Sequence, residues 1–204
     1  MNTKKVEILK SMINTPEKYE IAIDIYENFE EIGQSRRKRF FDGIKQKIQE
    51  RFNLDENEWF FFYENDPSFY LFKRSWQLDI SQRGLYSFCL NSNDGSGLVR
   101  RNSYDPKEII NEEQSIIGGI RDWKGMHRYS EGNWWWLLYK RPNPFSWSGE
   151  DYRKICNPES DNFKALVEEC VMRMVELLAL MEDTTLEKAI DEAVELRKKN
   201  NKIA

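Results

Sequence analysis

The chain has 204 residues, a formal net charge of −4, 40% hydrophobic residues and 32% charged residues. This balance excludes a disordered chain, and the length predicts one domain over residues 1–204. The apolar runs are far shorter than the roughly 18 residues that span a bilayer, and the N-terminus lacks the apolar core of a signal peptide. We therefore expect no membrane contact and a cytoplasmic location.

The N-terminal region, residues 15–52, is predicted to be helical because apolar residues recur there every three to four positions. Thr15 is the predicted N-cap, with Pro16 in the first helical position. The segment Gly33-Gln34-Ser35 is expected to kink or break the helix. The apolar positions are Ile21, Ile25, Phe29, Ile32, Phe40, Ile44 and Ile48.

Residues 58–101 consist of short aromatic and branched runs, separated by turn signals at Asn65-Asp66-Pro67 and Asn93-Asp94-Gly95. They predict an antiparallel meander. Residues 134–140 add a strand after a helical insertion near residues 106–117. The predicted strands are Trp59 to Tyr63, Phe69 to Lys73, Leu85 to Leu90, Leu98 to Arg101 and Trp134 to Tyr139.

Residues 160–199 are predicted to form a helical cover for this sheet, with a second helix beginning at Thr184. The order of elements indicates an α+β fold, in which an antiparallel sheet of about four to five strands is flanked by N-terminal and C-terminal helices. The apolar stripe of the first covering helix is Phe163, Leu166, Val167, Cys170, Met174, Leu177, Leu178 and Met181.

No segment matches the patterns of nucleophilic catalysis, of zinc binding or of phosphate-binding glycine loops. His127 is the only histidine and has no nucleophile signature nearby, so we interpret it as a loop residue. Gly95-Ser96-Gly97 and Gly118-Gly119 lack phosphate-binding frames and are interpreted as turns. We predict no catalytic residue, no metal and no cofactor. The cysteines are widely spaced and predicted to be reduced thiols: Cys89, Cys156 and Cys170.

Basic clusters predict an alternative function, nucleic-acid binding, if they meet beside aromatic residues that stack on bases. The net negative charge and the solvation of charges around a helix favour the simpler interpretation, an ordinary charged surface. The residues of this alternative are Arg36, Arg37, Arg39, Lys73, Arg74, Arg100 and Arg101.

The Trp-rich segment Trp134 to Tyr139 is apolar on both alternating faces. Either this strand is central and covered on both sides, or one aromatic face binds a partner, since exposed aromatic patches mark interfaces. The predicted partner-binding residues are Trp76, Trp123, Trp134, Trp136, Tyr139 and Trp147.

A series of aromatic-rich segments occurs along the chain in a distinctive order. They are Ile25 to Ile32, Phe40 to Phe52, Phe69 to Trp76, Gly84 to Phe88, Asn133 to Tyr139, Trp147 and Phe163 to Met181. In this order they resemble the C-terminal, non-catalytic half of bacterial and phage proteins of the PD-(D/E)XK nuclease superfamily. The resemblance implies an accessory region that recognises another macromolecule in phage–bacterium conflict.

The chain departs from that superfamily at the catalytic residues. Cleavage there uses an Asp and then an acidic-x-Lys triplet that together hold a divalent ion and a water. Only Asp105-Pro106-Lys107 and Asp122-Trp123-Lys124 fit the triplet, and a proline is unsuited to a central strand. A small Mg-dependent nuclease built from Asp105, Asp122 and Lys124 is the second alternative.

These observations predict a non-catalytic interaction module whose partner is a protein, in a defence or counter-defence system. Nucleic acid remains the alternative partner, and a homodimer is compatible with the sequence. We predict no catalysis because no motif in the sequence would bring carboxylates, imidazoles or thiols together in one site.

Overall fold

A computed structural model describes residues 3–63, 68–78, 84–91, 95–100, 116, 136–140, 144–145, 147–182 and 184–201. It is an α+β fold in which helices flank a five-stranded antiparallel sheet on its N-terminal and C-terminal sides, as the sequence predicted. Within these residues, no helix is both long enough and apolar enough to cross a membrane.

Three helices precede the sheet: α1 (Thr3–Met12), α2 (Pro16–Glu27) and α3 (Phe29–Phe52). The predicted cap is confirmed, because the Thr15 side chain accepts a hydrogen bond from the Lys18 backbone N–H. The predicted break at Gly33-Gln34-Ser35 is wrong, since α3 runs through it and the helices are divided at Asn28 instead.

The division at Asn28 has a local cause. Its side-chain amide donates to the Asp24 carbonyl at 2.8 Å and thus competes with the backbone, which distorts the turn. Helical hydrogen bonds nevertheless continue from Asn28 N to Asp24 O and from Ile32 N to Asn28 O, each at 3.0 Å. A single glycine inside a helix costs only about 1 kcal/mol, so Gly33 does not end it.

The strands are β1 (Trp59–Phe62), β2 (Phe69–Lys73), β3 (Tyr86–Asn91), β4 (Gly95–Arg100) and β5 (Trp136–Lys140). They lie in the order β1-β2-β3-β4-β5 with antiparallel neighbours, which confirms the predicted meander.

β4 begins three residues earlier than predicted. Gly95, Ser96 and Gly97 pair with β3, so the interpretation of this segment as a turn is wrong. Gly95 has a φ of 131°, a conformation that favours glycine where the chain enters the strand. Gly118-Gly119 and, apart from Ile116, the predicted helical insertion lie outside the described residues.

β5 is an edge strand of the described sheet, not the central strand that its apolar faces suggested. Its register against β4 shifts between Leu98 and Val99, which pair with Leu138 and Trp136. Leu137 is therefore an extra residue, and the strict alternation assumed for the Trp-rich segment is interrupted there.

The C-terminal cover comprises α4 (Gly149–Lys154), α5 (Asp161–Leu178), a 3-10 turn (Ala179–Glu182) and α6 (Thr184–Asn201). Ser160 caps α5 by accepting from the Phe163 N–H at 3.2 Å. The predicted stripe is confirmed as core, because every residue from Phe163 to Leu178 in it is buried, with Met181 partly buried beyond them.

The sheet is buried on both faces. Consecutive β2 residues point to opposite faces, yet Phe69, Tyr70, Leu71 and Phe72 are all buried. One face meets α3, where the rings of Phe41 and Phe69 lie 5.6 Å apart. Much of the aromatic content therefore builds the core.

Candidate protein-binding surface

The exposed apolar residues are concentrated at one end of the chain. Ten large hydrophobic side chains are exposed in the described parts, and nine of them fall between Ile8 and Phe29, while the tenth is Met172 in α5. Scattered exposed apolar residues are normal, whereas such a concentration marks an interaction surface. We call residues 8–29 the arm. Its exposed apolar residues are Ile8, Leu9, Met12, Tyr19, Ile21, Ile23, Ile25, Tyr26 and Phe29.

Helix α2 is the part of the arm that most needs a partner. It buries none of its 12 residues, and helices of this length are marginal in water without tertiary packing. At 100° per residue its apolar side chains cover an arc of about 200°, interrupted only by Lys18. An apolar arc this wide is typical of a helix that packs against neighbours.

The opposite side of α2 is acidic, with Glu17, Glu20, Asp24 and Glu27 on it. The pKa of Glu17 is lowered by a backbone hydrogen bond and by the Thr15 side chain, so this carboxylate remains charged. None of these four carboxylates makes an ion pair within the described residues. They are available to basic groups of another molecule.

Helix α2 and the first turns of α3 lie outside the buried core. α3 has no buried residue before Phe40, and Gly33 lies against α4, since an added Cβ there would be 3.9 Å from the Tyr152 ring. Because helical hydrogen bonds run through Asn28, residues 16–32 supply about 25 Å of helix beyond that contact.

Trp147 anchors the base of the arm. Its backbone has a φ of 52°, and its half-buried ring lies 4.9 Å from Phe145 and 5.5 Å from Phe41. The Arg37 guanidinium lies 5.9 Å from the Trp147 ring and donates to the Tyr152 hydroxyl at 2.6 Å. This predicted partner-binding residue therefore positions α3, and with it the arm.

The other predicted partner-binding residues are not brought together by the described structure. Trp76 is fully buried in the core, where its Nε1 donates to Asp191 Oδ1 at 2.8 Å. β5 contains the backbone of Trp136 and Tyr139, whose side chains are outside the described set. Trp123 and Trp134 lie outside the described residues altogether.

The basic residues of the nucleic-acid alternative are spread over different environments. Lys73 binds Glu58 at 2.6 Å and also pairs with Glu187. Burial alone lowers the pKa of Lys73, but hydrogen bonds and charge from these two carboxylates outweigh it and raise the pKa. Arg74 donates to the Glu56 carbonyl, and Arg100 is 2% exposed. Arg101 lies outside the described residues.

Arg36, Arg37 and Arg39 of this alternative lie on α3. Arg37 is held at the base of the arm, whereas Arg36 and Arg39 make no ion pair within the described chain. Lys38, which lies between them, pairs with Asp42 at 3.2 Å. The two free arginines thus lie just beyond the acidic arm.

The groups that bond-breaking chemistry requires are not assembled in the described parts of the chain. No set of three or more His, Cys, Asp or Glu residues there is arranged to hold a metal ion. The cysteines that we predicted to be reduced are free, and burial raises the pKa of the Cys170 thiol well above its usual range. Asp105, Asp122, Lys124 and His127 lie outside the described residues.

Comparison of the chain with protein-family models, with curated proteins and with solved structures found no match. The resemblance to the accessory half of PD-(D/E)XK proteins therefore stays a prediction from the aromatic pattern.

Proposed function

We propose that this protein is a non-catalytic interaction module that binds a protein partner through the arm. The concentration of nine exposed apolar side chains in residues 8–29 carries this proposal. Elsewhere the fold buries large side chains completely, as it does Trp76 and Phe69. Exposure of so many in one segment therefore indicates a surface that is covered by another molecule.

The amount of apolar surface fits a specific interface. The nine side chains are exposed by 39% to 84%, which gives roughly 800 Å² if each carries roughly 150 Å² when open. A standard protein–protein interface buries roughly 800 Å² on each partner. The arm alone supplies most of that area.

The composition of the arm also fits protein binding. Tyr26, Tyr19 and Phe29 are exposed by more than half, and aromatic anchors dominate the binding energy of many protein interfaces. The acidic face of α2 favours a partner with basic residues beside an apolar groove, and it repels nucleic acid phosphates. A helix that lays its apolar face in a groove is a common recognition mode.

The resemblance in the sequence adds a setting to this proposal. It favours a protein of a phage–bacterium defence or counter-defence system as partner, and this statement rests on fold-level analogy. The cytoplasmic location stays an expectation from the sequence.

Affinity capture tests the proposed function. We expect the wild-type chain to retain a protein that the Ile21→Asp/Ile25→Asp variant loses, because each charge would have to be buried in the interface. Met172→Asp, which places the same charge on the exposed apolar residue outside the arm, should retain the protein. Equal retention by all three chains would refute a role for the arm. Nucleic acid recovered by the wild type and lost by Arg36→Glu/Arg39→Glu would support the nucleic-acid alternative instead.

A further inference from the structure

We propose that the molecule covering the arm is a second copy of this chain, bound antiparallel about a two-fold axis between Ile25 and Phe29. This inference rests on the proposed function, since it names the protein that the arm binds. Isologous pairs of this kind require a surface that is complementary to itself. The arm has that property in its apolar pattern and in its charges.

The apolar pattern is nearly symmetric on reversal. Ile21, Ile25, Phe29 and Ile32 form one stripe with spacings of four, four and three residues, which reads almost the same in both directions. An antiparallel copy therefore brings Ile21 level with Ile32 and Ile25 level with Phe29. Each position of the stripe then meets an apolar partner, as in the seam of an antiparallel helix pair.

The charges obey the same symmetry. Glu17 precedes Ile21 by one helical turn, and Arg36 follows Ile32 by one turn. The pairing that aligns the stripe places Glu17 of each copy level with Arg36 of the other. Neither residue makes an ion pair within the described chain, so the contact satisfies two charges that the monomer leaves open.

The basic residues of α3 favour the antiparallel orientation. The four consecutive residues 36–39 contribute a formal charge of +4, and side-by-side parallel arms would place these residues of the two copies together. The antiparallel register instead sets residues 36–39 of each copy level with residues 14–17 of the other, where Glu17 is the acidic residue.

The pairing also gives α2 a helix to pack against. α2, which buries no residue within one chain, gains the tertiary packing that a helix of this length needs.

Sedimentation of the full-length chain tests this inference. We expect a dimer at about 50 μM that dissociates on dilution toward about 1 μM. Ile25→Asp should weaken dimerisation at least tenfold, because two carboxylates would be buried at the seam. Met172→Asp should leave it unchanged. Circular dichroism of each variant establishes that the folded body is retained, since Ile25 lies outside the core.

Mixing two charge variants identifies the antiparallel pair. Glu17→Arg and Arg36→Glu should each weaken self-association about three- to tenfold, because each homodimer then opposes like charges twice. In the mixed dimer both contacts are again between opposite charges, so association returns to the wild-type level. Glu182→Arg mixed with Lys199→Glu makes the same charge changes on exposed residues outside the arm and should show no such recovery.

The outcomes separate this inference from the proposed function. A chain that stays monomeric at about 100 μM, while Ile21→Asp/Ile25→Asp still loses a captured protein, overturns the homodimer and leaves the protein-binding function intact. Dimerisation that is insensitive to Ile25→Asp, or variants that do not rescue one another on mixing, also overturns the proposed pairing. A monomeric chain whose arm variants retain every captured protein overturns both.

Discussion

The indole Nε1 of Trp76 donates a hydrogen bond of 2.8 Å to Asp191 Oδ1 and thereby ties the 3-10 turn that follows β2 (Arg74–Trp76) to α6. Trp76 has no exposed surface, and its ring packs 6.1 Å from Trp59. Because the indole N–H is buried, loss of its acceptor costs more free energy of unfolding than loss of an ordinary surface hydrogen bond. The bond therefore links the sheet to the C-terminal cover.

Replacing Asp191 with Ala should lower the free energy of unfolding by about 1 to 3 kcal/mol, the cost of leaving a buried donor unsatisfied. Urea unfolding followed by tryptophan fluorescence measures the change. Asp191→Asn keeps an acceptor oxygen and should lose less than half as much. Equal losses in the two variants would mean that the hydrogen bond does not contribute.

The raised pKa of Lys73 predicts a dependence of stability on alkaline pH. Because the pKa of Lys73 is higher in the folded chain than in the unfolded chain, the charged lysine stabilises the fold. This stabilisation is complete below the unfolded-state pKa of 10.5, and it is lost as the pH rises through the folded-state pKa. The stability difference between wild type and Lys73→Met should therefore be constant at neutral pH and shrink above about pH 10.5. Urea midpoints across this range test it. Lys188→Met is the control substitution, because it removes an exposed lysine of α6 that has no ion pair in the described chain.

Periodicity predicted the helices well but not what covers them. The stripe from Phe163 to Leu178 and the stripe from Ile21 to Ile32 have the same spacing, yet the first is buried and most of the second is exposed. The three-to-four-residue spacing of apolar residues indicates only that a helix has an apolar side. Which molecule covers that side depends on where the neighbouring elements lie, and this is a tertiary property.

The candidate site was only partly predictable for the same reason. The aromatic count drew attention to Trp76, but a single residue after a strand does not reveal whether its ring turns toward the core, where Asp191 accepts from it. The position of β5 at the sheet edge and the extra residue at Leu137 depend on pairing with β4. By contrast, Ile21, Ile25 and Phe29 of the arm belonged to the predicted apolar stripe, and only their exposure was not predicted. Helix α1, which carries Ile8, Leu9 and Met12, was not predicted.

Ser96 offers a stabilising substitution. Its hydroxyl is buried in β4 and has no hydrogen-bond partner in the described chain. Removing a buried unsatisfied hydroxyl should raise the free energy of unfolding, by about 1 kcal/mol for Ser96→Ala. Ser87→Ala is the matched control, because the Ser87 hydroxyl donates to the Gly84 carbonyl and its loss should not stabilise the chain. A lower urea midpoint for Ser96→Ala than for wild type would contradict the prediction.

Gly84 is required by close packing at the start of β3. A Cβ at this position would lie 2.6 Å from the Tyr86 carbonyl oxygen and 2.9 Å from the Phe72 ring. One of these atoms belongs to the backbone and the other to a buried ring, so neither can move aside without disturbing the β2–β3 pair. Gly84→Ala should therefore lower the free energy of unfolding by about 2 kcal/mol or more, as overpacking does.

Gly149 is the matched control for that prediction. A Cβ there meets no atom within 4 Å, and alanine is the better helix former at the start of α4. Gly149→Ala should be neutral or stabilising by a few tenths of a kcal/mol. Thermal unfolding of both variants distinguishes close packing from chain flexibility. If close packing is the cause, only Gly84→Ala lowers the melting temperature. If the chain needs the flexibility of glycine at both positions, both variants lower it.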